Sequence, residues 1–343
     1  MITVVVKNTS TGAEVELPYN NLTINDELNK GSDLKLSLSR EAVKQIADIY
    51  GYSVADILHA GEREIWVDKD GTKLFYGVIT DYGASRSGEG INLDIAGAGF
   101  MYLLGRRRTG NLRVFTTTDA GLIAWTIIDE SQSEDAYSDL GITLSRLDTS
   151  VSRDRTFRFD NIKEQIEKMS NSNLENGFDF EIDTNKQFNV YYPQKGTRRT
   201  EILFDDHNIV GWRVRFPLLS TLTNRVYVLG EGQGDDRLWV VRNSPDDYKQ
   251  TFGLLENVLT ESSIITTETL DDKGDKNLAD NQSPRREVAI EVLDNPSVLD
   301  YQVGDEVRVK IPEEDINDEY LRLYKRTIQI DDNGAVRVAL DVK

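Results

Sequence analysis

The chain has 343 residues, 59 of them acidic and 40 basic, for a formal net charge of −19. Affinity for nucleic acid comes mainly from cationic contacts to phosphate, so this balance argues against nucleic-acid binding as the overall role. Cysteine is absent, which removes disulfides, thiol catalysis and zinc–thiolate sites together. An apolar content of 38% is low for a compact enzyme and suits thin β domains with much surface. No run approaches the roughly 18 apolar residues of a membrane span. No basic segment followed by a long apolar core opens the chain, so a signal peptide is not expected and synthesis in a cytoplasm is.

From the start, residues 1–7 alternate apolar and polar and predict a strand. Val15 to Leu17 and Leu22 to Ile24 are short strands. Leu34, Leu36 and Leu38 share one face of another, by their period of two. Ser39 is placed to cap a helix carrying Val43, Ile46, Ala47 and Tyr50 at helical spacing, and Gly51 ends it. Ser53 to Asp56 has the form of a capping box and opens a second short helix. A β unit follows. Gly61 to Val67 is a strand, Asp68 to Gly71 a turn, Leu74 to Tyr82 a long strand, 83–90 a Gly/Ser turn, and 91–96 a third strand.

Arg106, Arg107 and Arg108 read as a phosphate patch or, more commonly in so acidic a chain, as salt bridges to an acidic neighbour. Asp119 is placed to cap a helix through Leu122, Ile123, Trp125 and Ile128. Residues 129–139 read as an exposed loop. Strands are expected at 142–147 and 156–159, with Asp160 capping a helix whose stripe is Ile162, Ile166 and Met169. Residues 177–192 form a hairpin that Pro193 stops. Further strands fall at 202–204, 209–216, 223–229 and 238–242. A polar stretch then contains a weak helix pattern at 267–282, interrupted by Gly274 and ended at Pro284. Residues 287–293 alternate again.

The C-terminal stretch repeats the earlier β unit. Gly304 to Ile311 is a strand, Tyr320 to Ile330 a long strand, Asp331 to Gly334 a turn whose Asn333 and Gly334 both accept positive φ, and Ala335 to Val342 the last strand. In each copy a glycine and an acidic residue open the first strand. Two copies of one β unit in one chain is therefore the main organisational inference.

Residues with chemistry are sparse. His207 beside Asp205 and Asp206 offers the start of a metal site, but the same residues make an ordinary turn. His59 follows a helix end. Acidic groups recur at Asp235–Asp236, Asp246–Asp247, Asp271–Asp272, Glu313 to Asp315 and Asp331–Asp332, and a glycosidase needs two carboxylates at a fixed separation that sequence cannot display. Residues 271–277 lack the Gly and Glu positions of a calcium loop. No nucleophile elbow, Walker loop or dinucleotide glycine triplet occurs, and Gly230 to Gly234 reads as a turn. No catalytic, metal or cofactor residue is assigned. Ile46 to Leu58 looks like the two-helix centre of a LysM peptidoglycan-binding module. The alternative is a helical excursion filling the end of a β barrel, which fits the flanking strands better.

The segment Glu62 to Ile79 (EREIWVDKDGTKLFYGVI) is similar to the N-terminal domain of siphophage minor tail proteins of the tail-tip hub class. Residues 91–97, the run Leu103 to Arg108 and the helix at Gly121 to Trp125 resemble the same family's continuation. Tyr301 to Val309 (YQVGDEVRV) resembles the strand opening its last β domain. The resemblance implies a mainly β fold with α+β insertions, in which two tail-tube-like β-barrel domains are joined by smaller α+β domains. The expected division is 1–105 for the first barrel with a helical insert at 39–60, 106–200 for an α+β domain, and 201–343 for the second barrel with a polar insert at about 233–285.

It also implies a virion location and a baseplate-hub role without catalysis. A homotrimer would present six similar units in a ring, lying between a sixfold tail tube or distal tail ring and a threefold tip fibre or spike. DNA would leave through its channel without specific binding, helped by an acidic lumen. A glycan-binding or glycan-hydrolysing tail protein, and the hub of a phage-like contractile secretion device, are the alternatives.

Overall fold

The computed structural model describes the chain except residues 10, 62, 89, 148, 171–176, 217–221 and 283–285. Glu62 and Pro284, both used in the sequence reading, lie outside the described residues. The chain opens with β1 (Ile2–Asn8), β2 (Glu14–Leu17), β3 (Asn21–Glu27), β4 (Gly31–Ser39), α1 (Arg40–Tyr50) and α2 (Val54–Leu58). Then come β5 (Arg63–Lys69), β6 (Thr72–Ser87) and β7 (Gly90–Gly99). The middle holds α3 (Met101–Leu104), β8 (Arg113–Asp119), α4 (Ala120–Gln132), β9 (Thr143–Arg146), β10 (Ser152–Phe157), α5 (Ile162–Ser170), β11 (Asp179–Ile182) and β12 (Gln187–Tyr191). Next are β13 (Arg198–Phe204), β14 (Ile209–Arg215), β15 (Arg225–Leu229), β16 (Trp239–Asn243), α6 (Asp246–Phe252), β17 (Glu256–Thr260) and α7 (Thr267–Asn281). The chain ends with β18 (Glu287–Leu293), β19 (Glu306–Ile311), β20 (Ile316–Asp331) and β21 (Val336–Val342).

The structure is mainly β. Thirteen strands form one sheet, in the order β14-β18-β21-β20-β3-β4-β7-β6-β5-β1-β2, with β19 on β20 and β13 on β19. Among the described residues no sheet closes into a barrel. The pairing pattern occurs twice. β6 and β20 are each 16 residues long. β6 pairs with β5 through its first half and with β7 through its second, with an irregularity between Ile79 and Asp81. β20 pairs with β19 and then β21, with the same irregularity between Leu323 and Lys325. Beyond β7 lie β4 and β3; beyond β21 lie β18 and β14, all antiparallel. A bulge adds a residue on one strand and bends it, so the same bend recurs at the same place in both copies.

Alternation explains the core. Leu34, Leu36 and Leu38 of β4 point to one side and are buried. They join Ile24, Ile95, Ile290, Ile328, Val338 and Leu340 in one apolar cluster that spans both copies. Val43 and Ala47 of α1 and Ile57 and Leu58 of α2 belong to the same cluster. A second cluster lies in the middle segment, around Ile123, Ile127, Phe157, Ile166, Phe180 and Phe188. A third, smaller one joins Val226, Val228, Ile264, Leu270 and Leu278.

Local signals fared unevenly. Asp119 accepts from Leu122 N at 3.1 Å and caps α4, and the Ser53–Asp56 capping box is present. Ser39 precedes α1 without a side-chain cap bond. Asn161 rather than Asp160 caps α5, accepting from Glu164 N, while Asp160 accepts from Arg158 N. α4 runs on to Gln132, shortening the expected loop. At the last hairpin Gly334 alone takes positive φ, and Asp331 Oδ1 accepts from the N–H groups of Asn333 and Ala335. β15, expected beside the second β unit, pairs instead with β16 and β17. α7 is continuous through Gly274. A Cβ there would lie 2.4 Å from Arg242 Cγ, so the missing side chain lets the helix lie close on the small sheet.

Polar contacts clamp the middle segment to both copies. Asp179 on β11 accepts from Asn29 Nδ2 at 2.8 Å and from Lys195 N at 2.7 Å, and it pairs with Arg322 of β20. Glu64 of β5 accepts from Lys186 Nζ at 2.5 Å and from Tyr76 Oη at 2.6 Å. Burial alone would raise the Glu64 carboxyl, but these two donors outweigh it and hold it below its usual range.

Two outcomes follow. Ile328→Ala removes a fully buried side chain where β20 meets β3 and is expected to cost about 2–5 kcal/mol in urea unfolding. Glu64→Gln is expected to lower stability at pH 7. Because the native carboxyl is depressed, that contribution is present above the ordinary carboxylate value of about 4 and disappears as pH falls through the lower native value. The wild-type advantage over the Gln variant should therefore shrink in acid. Unfolding curves that keep the same gap from pH 7 to pH 3 would refute it.

Candidate functional site

The residues flagged for chemistry do not assemble a reaction centre. Asp205, Asp206 and His207 bring three ligand atoms within 4.8 Å of one another. They form a tight turn in which Asp205 O accepts from the N–H groups of Asn208 and Ile209, and Asn208 Oδ1 accepts from Asp205 N. The His207 N–H bond to Asp205 holds that carboxyl below its usual range, with the adjacent imidazole assisting against desolvation. Asp206 and His207 are exposed. The turn reading accounts for every one of these contacts.

The other acidic pairs are dispersed. Asp235 and Asp236 sit in a short 3-10 turn, Asp246 and Asp247 in the first turn of α6. Asp271 and Asp275 bind the Arg242 guanidinium. Among the described residues the arginine run makes no salt bridge of the expected kind. Arg107 donates to the carbonyls of Ser131 and Ser138, and Arg108 to that of Arg107. The inner faces of α1 and α2 are part of the large core, as a helical excursion at the end of a β unit requires.

Sequence reading missed one polar cluster. Arg153 and Arg155 on β10 are buried, and burial pushes both down to about 10. Lys273 of α7 pairs with Glu261 at 2.9 Å nearby, and Thr156 N donates to Ser263 O. The cluster ties β10 to the α7 unit. Alternating charges at 152–156 look like a solvated strand, so no sequence signal marked them.

The surfaces with unmet bonding capacity are sheet edges. Within the chain β20 meets β3 in antiparallel register, with Ile328 opposite Ile24 and Ile330 opposite Leu22. Arg326 pairs with Asp26 at 2.8 Å and donates to the carbonyls of Val298 and Tyr301. Thr327 Oγ1 donates to Asn25 Oδ1 at 2.8 Å. The pairing repeat gives β3 a counterpart in β14, and gives the second half of β20 a counterpart in the second half of β6. Neither counterpart is covered. β14 pairs with β18 alone, and beyond Ile79 β6 pairs with β7 alone, among the described residues. Leu22 is 1% exposed, whereas its counterpart Trp212 is 43% exposed. Phe216, just past β14, is 55% exposed and Tyr82 on β6 is 37% exposed.

No protein-family model matches the chain. No curated protein matches it in sequence. Solved structures do match in shape. A tail protein from Neisseria meningitidis MC58 is similar over 100% of this chain and 96% of its own, with a TM-score of 0.68 and 16% identity. The 43 kDa tail protein of prophage MuSo2 from Shewanella oneidensis is similar over 100% and 98%, with a TM-score of 0.67 and 12% identity. An E. coli protein, c3393, is similar over 100% of this chain and 76% of its own, with a TM-score of 0.55 and 8% identity. It is described as a type VI secretion component with structural similarity to the T4 bacteriophage tail proteins gp27 and gp5. At these identities the likeness is one of fold, and the fold of this chain is that of these phage tail proteins and of the secretion component.

Proposed function

We propose that this protein is a structural, non-catalytic component of a phage tail tip, built as a baseplate hub and located in the virion. The single observation that carries the reading is the twice-used pairing pattern around β6 and β20. Two like units in one chain let three chains present six, which suits an object joining a sixfold tube to a threefold tip. In this reading each copy is an opened tube-like barrel unit, within a division at 1–105, 106–200 and 201–343. The polar insert of the last part is centred on β16 to α7. A tail-tube or distal-tail ring lies on one side and a tip fibre or spike on the other.

The sheet face turned away from the core lines the proposed channel for DNA. Its charges are of both signs. Lys35 and Arg337 stand among Asp33, Asp94, Glu291 and Asp341, all exposed. Ala96, Ala98, Ala289 and Ala339 occupy the same face. A lining of small side chains and mixed charge supports passage without a fixed phosphate site better than the uniformly acidic lumen expected from composition.

A second reading, the hub of a contractile secretion device, draws on the fold shared with the E. coli secretion component. Particles isolated with or without a DNA-filled head separate the two. For the ring itself, mass photometry of the purified chain, alone and with its tail-tube partner, is expected to show a trimer. Negative-stain images should show a ring with a central opening. A strict monomer under every condition would refute the ring.

A further inference from the structure

We propose that the open edge of β14 in one copy pairs antiparallel with residues 81–87 of β6 in a second copy, repeating between molecules the seam that β20 and β3 make within one. The inference deepens the ring reading and rests on it.

The register comes from the internal seam. Across the first copy, Leu22, Leu36, Ile95 and Tyr82 stand in one row of paired residues. Across the second, Trp212, Ile290, Leu340 and Arg326 do. Trp212 therefore corresponds to Leu22, Val214 to Ile24, and Phe216 to Asp26. Likewise Tyr82 corresponds to Arg326, Ala84 to Ile328, and Arg86 to Ile330. Carrying the seam over sets Phe216 opposite Tyr82, Val214 opposite Ala84 and Trp212 opposite Arg86.

The side chains suit that register. Phe216 and Tyr82 form a cross-strand aromatic pair, and the Arg86 guanidinium meets the face of Trp212. Ala84 leaves room for Val214. On the other face Gly83 and Ser85 stand opposite Arg215 and Arg213, so no arginine meets a like charge. A free edge with exposed aromatics attracts strand addition, and here the matching edge is on the same chain. The two edges are different surfaces of one chain, β14 ending the sheet path and the second half of β6 lying past its pairing with β5, so the contact is head-to-tail and the second copy leaves the same edges free for a third.

The absence of cysteine gives a clean background for the test. Chains carrying Ala84→Cys and chains carrying Val214→Cys are mixed, then oxidised or bridged with a short bis-maleimide. A covalent dimer is expected, and the chain carrying both substitutions should give a covalently closed trimer. Val210→Cys lies about 13 Å further along the strand at roughly 3.3 Å per residue and should not link to Ala84→Cys. Trp212→Asp, at an exposed position, should leave the circular dichroism unchanged and weaken association at least tenfold.

A trimer by mass that links no better through Val214→Cys than through Val210→Cys would overturn the seam and leave the ring. A closed covalent dimer through Val214→Cys would keep the seam and overturn the threefold ring. A chain that stays monomeric and unlinked at every concentration would overturn both.

Discussion

Between Ile24 of β3 and Ile328 of β20 the chain pairs a strand near its start with one near its end. That seam turns two similar β units into one sheet and merges their apolar faces into one cluster. Its cost is high. Asn25 and Thr327 are 302 residues apart, so the loop-closure entropy precedes the contacts that offset it. Arg326 and Asp26 are both largely buried, and such a pair is retained only where further hydrogen bonds satisfy it. The carbonyls of Val298 and Tyr301 supply them.

The clamps on the middle segment work in the same direction. Asp179 holds Asn29 of the first copy and Arg322 of the second, so the α+β segment braces the seam from outside. Glu64 and Lys186 fix its other corner. The segment from β15 to α7 hangs instead on its own small core and on the buried cations of β10. Many of the acidic pairs counted in the sequence lie on that segment, away from the large sheet, which is why net charge says little about the outward face of that sheet.

The alternation of Leu34, Leu36 and Leu38, the Tyr320 to Ile330 part of β20 (though not its start at Ile316) and the Asp331 to Gly334 turn were legible as strands and hairpins, because period-two burial is a local property. So were the capping residues Asp119 and Ser53, whose partners lie three residues away. The likeness of 61–97 to 304–342 was legible for the same reason. What failed locally failed by competition. Asp160 was drawn to the Arg158 N–H and Asn161 took the cap. Gly274 looked like a helix breaker, but its missing side chain is what packs α7 against Arg242.

Sequence alone determined most of the strands and the presence of two copies, since these follow from short-range periodicity and turn chemistry; β8 and β17, whose exposed residues carry no clear alternation, escaped it. The sequence also contains no Walker loop, dinucleotide glycine triplet or cysteine. Only the tertiary structure decided that the copies join through β3 and β20, and that β14 and the end of β6 stay open among the described residues. Edge or seam is a matter of which strand lies beside which, and the same alternating pattern serves both. Trp212 and Leu22 occupy equivalent places, and nothing but the neighbouring strand makes one exposed and the other buried.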